Sequence, residues 1–425
     1  MGRPEKSICS SRLSSPASAI SMSSMARTSD DIGPYEMPLT EAEASRGPVD
    51  ILPSLQGEAH QNGPGVARLE IDLEAIAANW RFLRTTHGTN RITGAVVKAD
   101  GYGLGAAVIA QRLVQEGCDH IFVAHPQEAL TLRPLIPSAT LIVLNGLWPG
   151  WEAAYTDHGL IPALGSLAEI EAWRQEATRR EQALPAFLHV DTGINRLGLD
   201  PQERDRLAER PELLDGITLR AIMTHLISAE IPDHDSNTLQ RQRFAAACSR
   251  LPPAPRSIAN SSGIFLGPDF ASDIARPGAA LYGINPVPGR PNPMRPVLRL
   301  SARVLQIRPV EAGEIVGYNG IWVAQRPSRI AVCSVGYADG FQRALSSRAE
   351  AAFDGARIPL VGRVSMDLTT YDVTDDPRIT VGSWLELIGP EVSPDEVAAR
   401  ASTNGYEVLT SLGRRYERVY RPLTP

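Results

Sequence analysis

The sequence predicts an α/β chain in which an N-terminal (β/α)8 TIM-like barrel precedes a C-terminal β-rich domain. Three observations carry that expectation. Eight short β-branched or apolar runs alternate with helical stretches over about 230 residues, a spacing that suits a barrel better than an open doubly wound sheet. The Pro-rich stretch "NPVPGRPNPMRP", residues 285–296, reads as an interdomain linker. Beyond it the helices nearly vanish, and "VLRLSARVLQI", "RIAVCSVGYADG", "RIPLVGRVSMDLTTYDV", "GSWLELIG" and "YEVLTSLGRRYERVY" read as short strands separated by turn residues.

Taken in order, residues 1–65 are rich in Ser, Pro, Gly and acidic residues with little periodicity, and are expected to form a disordered leader. Met22, Met25 and Met37 are alternative translation starts, and "SPASAISMSSMA" is too polar for a secretory apolar region. The barrel is expected over 66–295 and the β-rich domain over 296–425. "ARLEIDLEAIAANWRFLRTT" reads as a short strand, an Asp72 N-cap and an amphipathic helix. The barrel strands are expected at 95–98, 121–124, 140–144, 160–164, 186–190, 219–224, 257–259 and 274–276. "LAEIEAWRQEATRREQ" and "SNTLQRQRFAAACSRL" are the strongest helices between them.

Composition excludes several functions. A formal net charge of −6 gives no signal for nucleic acid or an anionic membrane. No apolar run approaches the roughly 18 residues of a membrane span. Cys9, Cys118, Cys248 and Cys333 are far apart and form no CxxC pair, so neither a metal site nor a disulfide framework is expected, and a reducing cytoplasm fits best.

One residue stands out by its rarity. The chain has only two lysines, Lys6 and Lys98, and every other basic side chain besides histidine is arginine. Arginine serves wherever a cation or an anion contact is wanted, but its guanidinium never becomes a neutral amine. Lys98, in "TGAVVKADGYGLGA", is therefore a candidate for amine chemistry such as a covalent bond to a carbonyl. Compositional drift from lysine to arginine is the competing explanation.

Catalytic groups of a barrel gather at the C-terminal ends of its strands. Lys98 ends the first strand, "DTGINRLG" follows the fifth, His225 ends the sixth, "NSSG" at 260–263 follows the seventh, and "RPGAALYG" at 276–283 closes the barrel. Singly these have plain readings. "GYGLG" misses the GxGxxG spacing, a strand-end histidine is often structural, and "NSSG" can simply cap a helix. Together a reactive lysine and a phosphate cradle in one barrel mouth point to pyridoxal 5′-phosphate.

"AVVKADGYGLGA", "DTGINRLG", "MTHLISAE", "ANSSG", "ARPGAALYG", "SVGYADGF" and "GRVSMD" occur in one order from about residue 66 to the end, and in this the chain resembles the alanine racemase family. The resemblance implies a homodimer that interconverts L- and D-alanine by a two-base mechanism, supplying D-alanine for peptidoglycan or for catabolism. Lys98 is implied as the cofactor-bearing lysine and one acid/base group, and Tyr337 of the partner subunit as the other. Tyr102, Ser261, Gly278 and Ala279 are implied to hold the cofactor phosphate, His225 to pack beside its ring, and Arg276 to face the ring nitrogen. Arg196 and the Met366 backbone are implied to bind substrate. Two positions depart from the better-known pattern. His189 stands where many members have a lysine, often carbamylated, and Arg414 or Tyr416 falls where a phosphate-binding tyrosine is usual. A broader-specificity racemase and a non-catalytic pyridoxal-phosphate carrier are the alternatives. The C-terminal stretch speaks against the carrier.

Overall fold

The computed structural model describes residues 65–421. Residues 1–64 of the expected leader, the alternative starts among them, lie outside the described residues. Seven barrel strands form one parallel sheet in chain order: Ala95–Val96, His120–Val123, Thr140–Val143, Leu160–Leu164, Leu184–His189, Ile217–Met223 and Arg256–Ser257. An eighth, Ile274–Ala275, pairs in parallel with Ile92–Thr93 just before the first. The Arg276 N–H donates to the Ala259 carbonyl and the Val96 N–H to the Pro277 carbonyl, both at 2.9 Å, which links seventh to eighth to first. All eight strands expected from the sequence are present.

Strands buried on both faces read as apolar runs rather than alternations, as in Leu160–Leu164, where every residue is buried. Val96, Phe122, Ile142, Ile161, Phe187, Met223 and Ile274 fill the barrel interior. Phe122 and Phe187 meet edge to face there, their ring centroids 6.0 Å apart. The helices stop and start where the chain supplies caps. Asp72 accepts the Ala75 N–H at 2.8 Å to open Leu73–His87, and Ser166 accepts the Glu169 N–H to open Leu167–Arg180.

The C-terminal domain is built on the long strand Leu298–Val310. Its first half pairs with Trp384–Ile388 and its second half with Ser328–Cys333. Two features differ from the sequence reading. The strand Ala67–Ile71 belongs to this second sheet, antiparallel to Leu298–Val310 and parallel to Glu417–Tyr420, so the chain joins the barrel layer only from the helix Leu73–His87. Its partners lie far along the chain, and no local pattern names them. The domain also holds two helices, Pro394–Ala401 and Gly405–Thr410, the second inside a stretch read as strand. Asn404 caps it by accepting the Glu407 N–H at 2.9 Å, and tertiary contact overrides the β propensity of its Tyr, Val and Thr. Among the described residues no helix is long and apolar enough to cross a membrane.

Candidate active site

The first barrel strand stops at Val96, and Lys98 opens a turn of unusual backbone. Ala99, Asp100 and Tyr102 have φ of 54° and Gly101 has 62°, all left-handed. For residues other than glycine this conformation costs roughly 1–2 kcal/mol each. The turn is held from both sides. The Ala99 N–H donates to Glu128 Oε1 at 2.6 Å, and Asp100 Oδ1 accepts the Ala106 N–H at 2.9 Å. Arg418 of the C-terminal domain donates to the Gly103 carbonyl at 2.7 Å. A Cβ at Gly103 would lie 2.6 Å from the Leu409 carbonyl oxygen. The reverse turn leaves the Lys98 amine half-buried at the barrel mouth. Burial first, and then the positive charge of Arg196, lower its pKa against a smaller opposing effect of Glu128.

Beside it lies a cradle of small residues. The Ser261 hydroxyl accepts the Gly278 N–H at 2.9 Å and the Ala280 N–H at 3.2 Å, so the turn around Ala279 presents its amides on one side. Tyr102 stacks on Tyr282 at 4.5 Å between centroids, and the Tyr282 hydroxyl is anchored on the Val96 carbonyl at 3.0 Å. A Cβ at Gly278 would come within 2.3 Å of the Tyr102 hydroxyl. Glycine is therefore required by the close approach of the phenol. Burial raises the Tyr102 pKa, and the phenol of Tyr406 adds to the effect.

The opposite wall is cationic. Arg276 is 4 % exposed and donates to the carbonyls of Thr224 at 2.6 Å and Ser257 at 2.9 Å and to the Ser257 hydroxyl. Among the described residues no carboxylate pairs with it, and burial lowers its pKa to about 10. His225 reaches the mouth with part of its surface. Burial, then Arg276, Arg196 and Lys98, push its pKa down to about 3. His189, 6 % exposed, is pushed to about 4 by burial and by Arg276, and neither ring nitrogen has a hydrogen-bond partner. Both imidazoles are thus neutral at pH 7.

Arg196 sits on a loop that returns to its own strand. Asp191 accepts the N–H groups of Gly193, Ile194 and Asn195 at 2.8–3.0 Å, and the Leu199 N–H donates to the His189 carbonyl at 2.8 Å. Gly198 (φ 108°) passes over the His189 ring, where a Cβ would lie 3.1 Å from the ring carbon Cδ2. The guanidinium remains exposed at the mouth, close enough to oppose protonation of Lys98, His189 and His225.

The structure thus brings Lys98, Tyr102, His189, Arg196, His225, Ser261, Arg276, Gly278 and Ala279 to one end of the barrel. Tyr337 and Met366 are together elsewhere. The Tyr337 N–H donates to the Ser365 carbonyl at 3.0 Å and the Ala338 N–H to the Met366 carbonyl at 2.9 Å. Among the described residues no hydrogen bond or ion pair joins Tyr337 or Met366 to the mouth of their own barrel, and they are 41 % and 54 % exposed.

Three residues were not singled out from the sequence. Tyr406 neighbours Tyr102 from the helix Gly405–Thr410, whereas Arg414 is exposed and Tyr416 turns into the C-terminal core beside Tyr371. Glu128 locks the Lys98 turn. Tyr318, 67 % exposed, projects from a hairpin turn in which Gly317, Asn319 and Gly320 all have positive φ. This turn abuts the Met366 loop, since a Cβ at Gly317 would lie 3.2 Å from the Arg363 nitrogen. The "GYNG" string at 317–320 was the available signal.

Comparison with known proteins gives a consistent result. The N-terminal domain of alanine racemase matches residues 71–286 and the C-terminal domain residues 297–420. The alanine racemase of Acidiphilium cryptum is 56% identical over 353 residues, 83% of this chain and 98% of that protein. That of Methylobacterium nodulans is 49% identical over 83% of this chain and 96% of its own length. The crystal structure of alanine racemase from Bartonella henselae with covalently bound pyridoxal phosphate has a TM-score of 0.81 and 41% identity, covering 84% of this chain and 100% of that one. The biosynthetic alanine racemase from Pseudomonas aeruginosa has a TM-score of 0.79 and 32% identity, over 84% and 99%.

Proposed function

The chain belongs to the alanine racemase family, and on that premise we propose how its own residues carry out the reaction. The activity is pyridoxal-phosphate-dependent racemisation of alanine. The observation that carries the residue assignment is the Lys98 amine, half-buried, shifted toward its neutral form and facing a mouth whose buried cation, Arg276, lacks a carboxylate partner.

The donor set fits the cofactor. Lys98 would hold it covalently. Ser261, Gly278, Ala279 and Tyr102, with Tyr406, would hold its phosphate, and neutral His225 would pack beside its ring. Arg276 would meet the ring nitrogen, where a permanent cation disfavours a second positive charge. When bound, the cofactor withdraws electrons from the substrate and makes its Cα–H acidic.

The rest falls to protein groups. Arg196 holds the substrate carboxylate with its exposed guanidinium, and the Met366 backbone of the partner subunit assists. Lys98 takes or returns the Cα proton on one face. Racemisation needs a second group on the other face, and a tyrosine of the partner subunit supplies it. The sequence reading assigns this tyrosine as Tyr337. A second reading, Tyr318, is favoured by its greater exposure and its place at the tip of a turn beside the Met366 loop.

A homodimer accounts for two separate apolar surfaces. Ile315, Tyr318, Ile321, Val323, Met366 and Leu368 are exposed on the C-terminal domain, and Leu197, Ile227 and Ile231 flank Arg196 and His225 at the barrel mouth. Pairing two copies about a two-fold axis, each barrel mouth against the partner's C-terminal domain, covers both. We place the enzyme in the cytoplasm, making D-alanine for cell-wall precursors or consuming it.

The test is incubation of the purified protein with pyridoxal phosphate and L-alanine in D2O, reading D-alanine by chiral chromatography and Cα deuterium by NMR. Deuterated D-alanine is expected. Deuterium without D-alanine would remove the opposite-face acid, and neither signal would turn the assignment toward another amino acid or the carrier.

A further inference from the structure

We propose that Gln240 is a positioning residue that fixes the Arg196 loop against the end of the sixth strand and so sets how the substrate carboxylate is held; this rests on the role of Arg196 given above. The helix Asp235–Arg250 buries Asn237, Gln240, Phe244, Ala247 and Cys248, the stripe expected of an inward face. The two positions nearest the barrel mouth are amides rather than apolar residues. A buried amide is costly unless its hydrogen bonds are made.

Gln240 is 1 % exposed and makes them across two loops. Its Nε2 donates to the Thr192 hydroxyl at 3.1 Å, on the loop that carries Arg196, and to the His225 carbonyl at 2.9 Å. Its Oε1 accepts the Ile227 N–H at 2.9 Å. Because Thr192 accepts from Gln240, its own hydrogen is free to donate to the Thr224 hydroxyl, 2.8 Å away. Thr224 in turn offers its carbonyl to Arg276. Arg243, one turn along the same helix, donates to the Thr192 carbonyl at 3.1 Å. One side chain therefore sets the separation between the substrate-side cation, Arg196, and the ring-side groups, His225 and Arg276. None of its bonds reaches Lys98 or the Ser261 cradle.

This separation of contacts gives the proposal a signature. The two enantiomers have equal free energy, so kcat/KM must fall equally in both directions in any variant; what matters is whether the loss lies in KM or in kcat. Gln240→Leu removes all three bonds at similar volume. Thr192→Val removes the hydroxyl link without touching Gln240, and serves if the first variant does not fold. Both are assayed as cofactor-loaded holoenzyme with L- and D-alanine, with cofactor affinity by absorbance titration and melting temperature alongside. The expected result is a KM rise of about tenfold in Gln240→Leu and a smaller rise in Thr192→Val, with kcat and cofactor affinity within about threefold of the parent. Gln240→Glu keeps the acceptor for Ile227 but at neutral pH loses both donors, and is expected to match Gln240→Leu. Unchanged KM in the folded variants, or a loss confined to kcat or to cofactor affinity, overturns the proposal. Arg196→Lys is the control. If it raises KM and the Gln240 and Thr192 variants do not, the positioning role alone fails; if it leaves KM unchanged, the assignment of Arg196 fails and this proposal with it.

Discussion

The Nε–H of Arg415 meets Asp339 Oδ1 at 2.6 Å. Asp339 closes the turn that presents Tyr337, its other oxygen accepting the Gly336 N–H at 2.9 Å and its carbonyl accepting the Gly413 N–H at 2.9 Å. A second arm of the same guanidinium reaches Asp367, next to Met366, at 2.8 Å. Arg415 thus joins the two loops that present Tyr337 and Met366. Arg415→Ala is expected to raise KM for alanine by about tenfold with cofactor affinity unchanged, because both loops loosen while the barrel mouth is untouched. Steady-state kinetics on the holoenzyme checks this, and an unchanged KM would detach these loops from substrate binding.

Replacing Gly278 brings a new Cβ into contact with Tyr102 and Val96. That contact is severe, 2.3 Å from a new Cβ to the Tyr102 hydroxyl and 3.3 Å to the Val96 Cβ. Tyr102 must move, and it is stacked on Tyr282, so it cannot move freely. Gly278→Ala is therefore expected to weaken cofactor binding by about tenfold or more while leaving the barrel folded. Absorbance titration against the wild-type protein reads it, and equal affinities would mean that the cradle is not where the phosphate binds.

How far the sequence reached depends on the kind of interaction. Lys98 stood out because it is one of only two lysines in an arginine-rich chain, and the eight strands were legible because doubly buried strands leave apolar runs. The turn after Lys98 was not, since Ala99, Asp100 and Tyr102 carry no hint of positive φ and are held there by Glu128 and Arg418 from distant segments. Ala67–Ile71 looked like a barrel-side strand because nothing local distinguishes the two sheets it could join. Tyr406 was hidden by a helix that local β propensity argued against. Neighbours far along the chain decided each of these.

His189 makes stability depend on pH with a definite sign. Its folded pKa is about 4, below the ordinary imidazole value of 6.5, so in acid the unfolded chain binds a proton that the folded one refuses. The folded state is least penalised above pH 6.5, loses stability as pH falls from there to about 4, and loses no more from this group below that. The full loss is about 3 kcal/mol. His225 acts in the same direction, so the comparison must leave it in place. His189→Asn, which cannot titrate, is expected to lose less stability between pH 7 and 4 in urea unfolding. Parallel pH profiles for the two proteins would mean that His189 is not held neutral by burial and by the charges of Arg276 and Arg196.

The two exposed tyrosines can be told apart by the Cα exchange that remains when each is removed. A group that protonates one face of Cα is needed as base for one enantiomer and as acid for the other, and its loss stops net racemisation without stopping proton exchange by the group opposite. Lys98 is in place whichever tyrosine is used. Removing the true opposite-face residue with Tyr318→Phe or Tyr337→Phe should thus leave one enantiomer still exchanging its Cα hydrogen with D2O while conversion falls by about a hundredfold or more. The other substitution should change KM far more than this exchange asymmetry, because it lies at the same face without meeting the proton. Each phenol is free of hydrogen bonds through its hydroxyl among the described residues, so phenylalanine removes only the acid/base group. Asymmetric exchange in Tyr318→Phe alone would assign the role to the hairpin turn, and in Tyr337→Phe alone to the turn held by Asp339. Symmetric loss in both would contradict a tyrosine as the second base.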